Sequence, residues 1–147
     1  MIWDAEYFTF EELTRSETAQ GRGIDNVPKG LLLKRLSETA RRMDRVRLYL
    51  GQPVIVTSGF RSAELNRAIG GTSGSHHVQG YAVDFKCPRF GDPMQICRAL
   101  RDSGIRYDQL IQEFNQWVHI SFAPTMRQQT LTALKQGGRT VYQAGLR

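Results

Sequence analysis

The chain has 147 residues, 40% of them apolar and 23% charged, with a net charge of +6; this balance describes one soluble globular domain that buries about two-thirds of its unfolded surface. No run approaches the roughly 20 apolar residues of a membrane span, and residues 1–6 lack the basic start and apolar core of an export signal. Synthesis in the cytoplasm and exit by another route are therefore expected, and the basic character favours an anionic polymer, either nucleic acid or a bacterial cell wall.

In chain order, Thr9-Phe10-Glu11-Glu12 has the form of a capping box and predicts a short helix through about Arg15. Residues 16–26 are polar and are expected to form a loop. Pro28 suits the first turn of a second helix. Leu32, Leu36, Ala40, Met43 and Leu50 then recur at three- and four-residue spacing up to Gly51 and Pro53, an amphipathic helix of roughly 20 residues. Its Arg41, Arg42, Arg45 and Arg47 read as a solvated face. Residues 54–57 are a β-branched run and predict a buried strand. Ser58-Gly59-Phe60-Arg61-Ser62 leaves that strand for a short helix ending near Ile69. The glycine-rich residues 70–74 are a loop without the pattern of a phosphate-binding loop.

Over residues 80–85, Tyr81, Val83 and Phe85 alternate with Ala82 and Asp84, which predicts a strand with two different faces. Residues 93–103 form another amphipathic helix closed by Gly104. Residues 109–113 and 117–122 read as a β-hairpin ended by Pro124, residues 126–135 as a last helix, and residues 137–147 as a polar tail. Cys87 and Cys97 have no metal-binding spacing and are expected to be free thiols. With no internal repeat or linker, residues 1–147 are expected to form a single domain, with a core over 5–124.

Chemistry concentrates in residues 75–84, Ser-His-His-Val-Gln-Gly-Tyr-Ala-Val-Asp. Imidazole nitrogen and carboxylate oxygen are ordinary Zn²⁺ ligands. His119, the third and last histidine, stands in the later run Trp117-Val118-His119-Ile120. Two histidines and Asp84 would leave a coordination position open for water, as catalytic zinc sites do. Spacing alone leaves His76 and His77 equal as the first ligand. Arg61 at a strand exit suits a substrate carboxylate or a developing oxyanion, and Tyr81 and Trp117 are candidates to line the cleft. Glu113 and His119 share a face of the hairpin only if its turn has an odd number of residues. A three-residue turn, Phe114-Asn115-Gln116, is predicted, setting Glu113 opposite Trp117.

The pattern Ser75-x-His77-x-x-Gly80-x-Ala82-x-Asp84 with Trp117-x-His119 resembles the zinc signature of the M15 peptidases, bacterial and phage enzymes that include D-Ala-D-Ala carboxypeptidases and L-Ala-D-Glu endopeptidases. Ser58-Gly59-Phe60-Arg61-Ser62 is similar to a further segment of that family, and residues 8–13 resemble the start of its compact phage and prophage forms. The resemblance implies an α+β fold shared with the hedgehog signalling domain, a small antiparallel sheet with flanking helices and a zinc cleft. It implies His77, Asp84 and His119 as zinc ligands, His76 as a neighbour only, and Arg61 as the group facing the scissile carbonyl oxygen. Ser75, Arg61, Tyr81 and Trp117 would meet the substrate. Several family members carry the catalytic glutamate three residues before the last histidine, where this chain has Gln116; Glu113, six residues before it, is then the expected general base. The implied partner is the peptide stem of peptidoglycan, without nucleic acid or membrane span. The implied setting is a monomeric phage or prophage enzyme that reaches the wall through a holin or in a virion. The alternatives are a zinc module that binds wall or peptide without cleaving it, a nucleic-acid-binding domain motivated by charge alone, which predicts strongly salt-dependent DNA affinity, and a peptidase of phage assembly.

Overall fold

The structure, a computed structural model, describes residues 3–147. Its first helix, α1 (Phe10–Thr14), starts where the capping box predicts: Thr9 Oγ1 accepts from Glu12 N–H at 3.1 Å, and Glu12 Oε1 accepts from Thr9 N–H at 3.1 Å. The expected loop after it holds a further short helix, α2 (Glu17–Arg22), capped by the Ser16 hydroxyl and ended by Gly23 in the left-handed conformation. Pro28 lies outside the long helix. That helix, α3 (Leu31–Leu50), begins after Gly30 at φ +58° and ends at Gly51. Its buried positions Leu36, Ala40, Met43, Val46 and Leu50 form the predicted apolar stripe.

Two further helices, α4 (Ala63–Ala68) and α5 (Pro93–Arg101), begin at the side-chain caps Ser62 and Asp92. Six strands form one sheet: β1 (Ile55–Ser58), β2 (Ala82–Lys86), β3 (Gln109–Glu113), β4 (Trp117–Ser121), β5 (Gln129–Gln136) and β6 (Arg139–Ala144), in the order β1-β2-β4-β3-β5-β6. The architecture is α+β, as expected. The sheet is not wholly antiparallel, because β3 pairs with β5 in parallel. Nor is β1 a buried strand: it lies at an edge, and of its residues only Val56 is buried.

The C-terminal expectation is overturned. Residues 129–144 are the antiparallel pair β5–β6, where a helix and a tail were predicted. The hairpin is tied down at its open end: Thr132 Oγ1 donates to Gly145 O at 2.8 Å and accepts from Arg147 N–H at 3.0 Å. Leu146 packs against the main core.

One face of the sheet is core. Val83, Phe85, Leu110, Val118 and Ile120 pack with the apolar stripe of α3 and with Ile96 and Leu100 of α5. Cys87 and Cys97 are free and buried within this cluster, and burial pushes the Cys97 thiol up to about 12. Gly80 sets the distance between α3 and the loop before β2. It sits at φ +82°, where a Cβ would stand 3.2 Å from Leu32 O, and its carbonyl accepts from the buried Thr39 hydroxyl at 2.7 Å. The other face of the sheet is left for function.

Candidate active site

Alternation along the strands puts a common set of side chains on that second face. Across β2, β4, β3 and β5, Asp84 pairs with His119, His119 with Ile111, and Ile111 with Leu131. One row along, Trp117 pairs with Glu113 and Glu113 with Ala133, which pairs with Tyr142 of β6. The turn between β3 and β4 has three residues, Phe114-Asn115-Gln116, with Phe114 at φ +57° and Asn115 at φ +50°. The predicted odd parity therefore holds, and Glu113 shares the face of His119.

His77, Asp84 and His119 converge. One ligand atom from each lies within 4.8 Å of the others. His77 Nε2 is 3.3 Å and His119 Nδ1 2.9 Å from Asp84 Oδ1. His77 Nδ1 lies 2.8 Å from Gly59 O, a contact that places the ring proton on Nδ1 and turns the Nε2 lone pair inward. The loop carrying His77 is itself fixed, with Ser75 Oγ accepting from His77 N–H at 3.2 Å. Burial opposes ionisation of Asp84, yet His77 and His119 outweigh it and hold its carboxyl well below the usual range. Two imidazoles and a carboxylate form a donor set that fits a divalent zinc-type ion. His76 points elsewhere, with Nδ1 3.9 Å from Asp108 Oδ2.

Arg61 is held from three sides. Its Nε donates to Ser58 Oγ at 3.3 Å and its Nη1 to Asn66 Oδ1 at 3.2 Å, while Nη2 lies 3.6 Å from Asp84 Oδ2. The backbone beneath is equally fixed: Phe60 N–H donates to Leu13 O at 2.8 Å and Arg61 N–H to His77 O at 3.2 Å. Buried Asn26 donates to Thr14 O and Phe60 O and accepts from Ser62 N–H. Asn26 and Asn66 were not singled out from the sequence; both carry their signal only through contacts distant in the chain.

Glu113 Oε1 stands 3.7 Å from His119 Nδ1. Burial, reinforced by the nearby Asp84 carboxylate, pushes the Glu113 carboxyl up to about 7, against the opposing pull of His119 and Arg61. A carboxylate poised near neutrality suits proton transfer in either direction. Gln116, by contrast, is exposed in the turn.

His77, Asp84, His119, Arg61 and Glu113 line one cleft of about 980 Å³, and Gln116 does not. Ser75, His76 and Trp117 line it as well, and the Trp117 indole Nε1 is buried there without a hydrogen-bond partner. Tyr81 does not line it. That ring faces a separate groove of about 520 Å³, with the Arg35 guanidinium stacked 5.0 Å from its centroid, because the residue precedes β2 and turns towards α3. One whole wall of the cleft escaped the sequence reading: Arg127, Gln129, Leu131, Thr140 and Tyr142 come from the β5–β6 region.

A cleft with a three-donor cradle and a neighbouring half-buried carboxylate is the equipment of a hydrolase. The family model for peptidase M15 matches residues 6–121, and the chain belongs to this family of peptidases. A search among curated proteins finds no match.

Proposed function

We propose that this protein is a zinc-dependent peptidase that hydrolyses the peptide stem of bacterial peptidoglycan. The observation that carries the reading is Glu113, half-buried on the cleft face beside the cradle of His77, Asp84 and His119. Zinc bound by those three residues would supply Lewis acidity towards a water molecule and a peptide carbonyl. Glu113 Oε1 takes the proton from the attacking water and returns it to the leaving amine. Arg61, immobilised by Ser58 and Asn66, stabilises negative charge growing on the carbonyl oxygen. Trp117, paired with Glu113 across the hairpin, lines the cleft beside that carboxylate and would meet the bound peptide there. Ser75 acts through His77, whose backbone it holds. The basic chain is matched to an anionic wall.

The test is digestion of purified peptidoglycan by the zinc-loaded protein, with mass spectrometry of the products and Glu113→Gln in parallel. Defined stem fragments from wild type, and a loss of at least about 100-fold in the variant with its zinc retained, are expected. Zinc binding by wild type without any released fragment would replace this reading with a wall- or peptide-binding module.

A further inference from the structure

The cleft contains two guanidinium groups with different commitments. Arg61 is engaged along its whole fork, by Ser58, Asn66 and Asp84. Arg127 enters from the opposite wall and belongs to the stretch beyond residue 121, where the family match ends. It is bound on one edge only: Nε donates to Asp108 Oδ1 at 2.9 Å and Nη2 to Asp108 Oδ2 at 2.8 Å. The Arg127 backbone N–H and the Thr125 hydroxyl also donate to Asp108 Oδ1, at 2.9 and 2.8 Å.

Asp108 is fully buried, whereas the Arg127 side chain is 48% exposed. The carboxylate is thus hidden behind the guanidinium that it orients. Among the described residues, no acceptor is bonded to Arg127 Nη1, so a residue that lines the cleft keeps one donor edge unspent. A planar fork with a free edge, its rotamer fixed by a buried carboxylate, is preorganised to receive an anion. The place is defined too. Arg127 is two residues from Gln129, whose side chain accepts from Gln109 Nε2 at 2.8 Å. That pair marks the cleft row next to Ile111 and Leu131, one sheet repeat of about 7 Å from the level of His119.

We propose that Arg127 is the specificity-determining residue of this cleft, binding a carboxylate of the substrate that lies one or two residues from the bond cleaved. The inference rests on the cleft being the peptidase site and adds the substrate class to it: a peptide with a free carboxylate close to the scissile bond. Such a carboxylate can be the C-terminus of the peptide or the free α-carboxylate of a γ-linked D-glutamate. The same guanidinium edge would take either.

The test uses the stem pentapeptide L-Ala-γ-D-Glu-L-Lys-D-Ala-D-Ala in three forms: free acid, C-terminal amide, and D-isoglutamine at the second position. Binding to the full-length protein is measured by calorimetry, with turnover followed separately. One of the two amidations is expected to weaken binding by about 10-fold, and which one identifies the carboxylate. In Arg127→Lys, which leaves a cation beside buried Asp108, the difference between acid and that amide should shrink to less than about 3-fold. Equal binding of all three forms by wild type overturns the inference without any variant. So does a discrimination that survives unchanged in a folded Arg127→Lys protein. Acid preference without turnover sinks the peptidase reading alone, and turnover without acid preference sinks this inference alone.

Discussion

At the scale of single residues, the site depends on groups that never touch a substrate. Gly59 is the clearest. Its carbonyl fixes His77, and a Cβ at this position would run into the backbone of Leu13. Gly59→Ala is therefore expected to cost about 1–3 kcal/mol of stability and to weaken zinc binding, because relief of the clash displaces the carbonyl that orients the imidazole. Thermal melts and a zinc titration check both parts; unchanged affinity in a destabilised variant would show that Gly59 matters for packing only. Asp108 offers a pH signature. Hydrogen bonds from Arg127, with further ones from Thr125, hold its carboxyl well below the usual carboxylate range despite burial. His76 is the other titratable group facing it, and burial lowers the pKa of that imidazole. Because the folded-state pKa is depressed, this contribution is complete above the unfolded value of about 4 and is lost as pH falls below it. Wild-type Tm should drop steeply from about pH 5 downward, while Asp108→Asn should be less stable at neutral pH and show a shallower acid slope. Parallel acid slopes for the two proteins would remove Asp108 from the account.

At the scale of elements, the β3–β4 hairpin places its side chains by parity. A turn of three residues puts Glu113 on the face of His119, and any even turn turns it away. Deleting Asn115 should reduce turnover to the level of Glu113→Gln while the strand signal in circular dichroism persists. Inserting two glycines into the same turn preserves parity and should leave measurable turnover. Turnover that tracks loop length instead of parity would refute this assignment. The hairpin was legible in the sequence because Trp117-Val118-His119-Ile120 is rich in aromatic and β-branched residues and is set off from Leu110-Ile111 by the break at Asn115-Gln116, and the capping box at Thr9 was legible because it is a purely local signal. The β5–β6 hairpin was not. Leu131, Leu134 and Lys135 sit at three- and four-residue spacing and imitate a helix, and the decisive partner, the exposed edge of β3, is invisible locally. The candidate ligand trio His77, Asp84 and His119 could be singled out because its spacing matched a known pattern, and the fold brings the three together. Tyr81 was misplaced because alternation tells which residues share a side of a strand, and this residue lies before β2 begins.

At the scale of the whole molecule, the metal cradle joins pieces that are far apart in the chain. His77 comes from the loop after α4, Asp84 from β2 and His119 from β4. An ion bound only by the folded arrangement stabilises it by mass action, about 2.7 kcal/mol at a free concentration 100 times the Kd. Chelation should lower Tm by several degrees, and His119→Ala should abolish the difference between chelated and zinc-loaded samples. Equal melting of wild type with and without chelator would show that no such ion is held.

The cleft draws its two walls from successive parts of the chain. The cradle, Arg61 and Glu113 all lie within residues 6–121, while Arg127, Thr140 and Tyr142 follow them. The second wall joins the sheet where β5 meets β3, and Arg127 and Leu146 tie it to Asp108 and to the core. On the proposed reading, reaction and selectivity are encoded in successive segments of the chain. Exchanging the hairpin after Pro124 for one of different composition is then expected to redirect the choice of peptide while leaving His77, Asp84, His119, Arg61 and Glu113 in place.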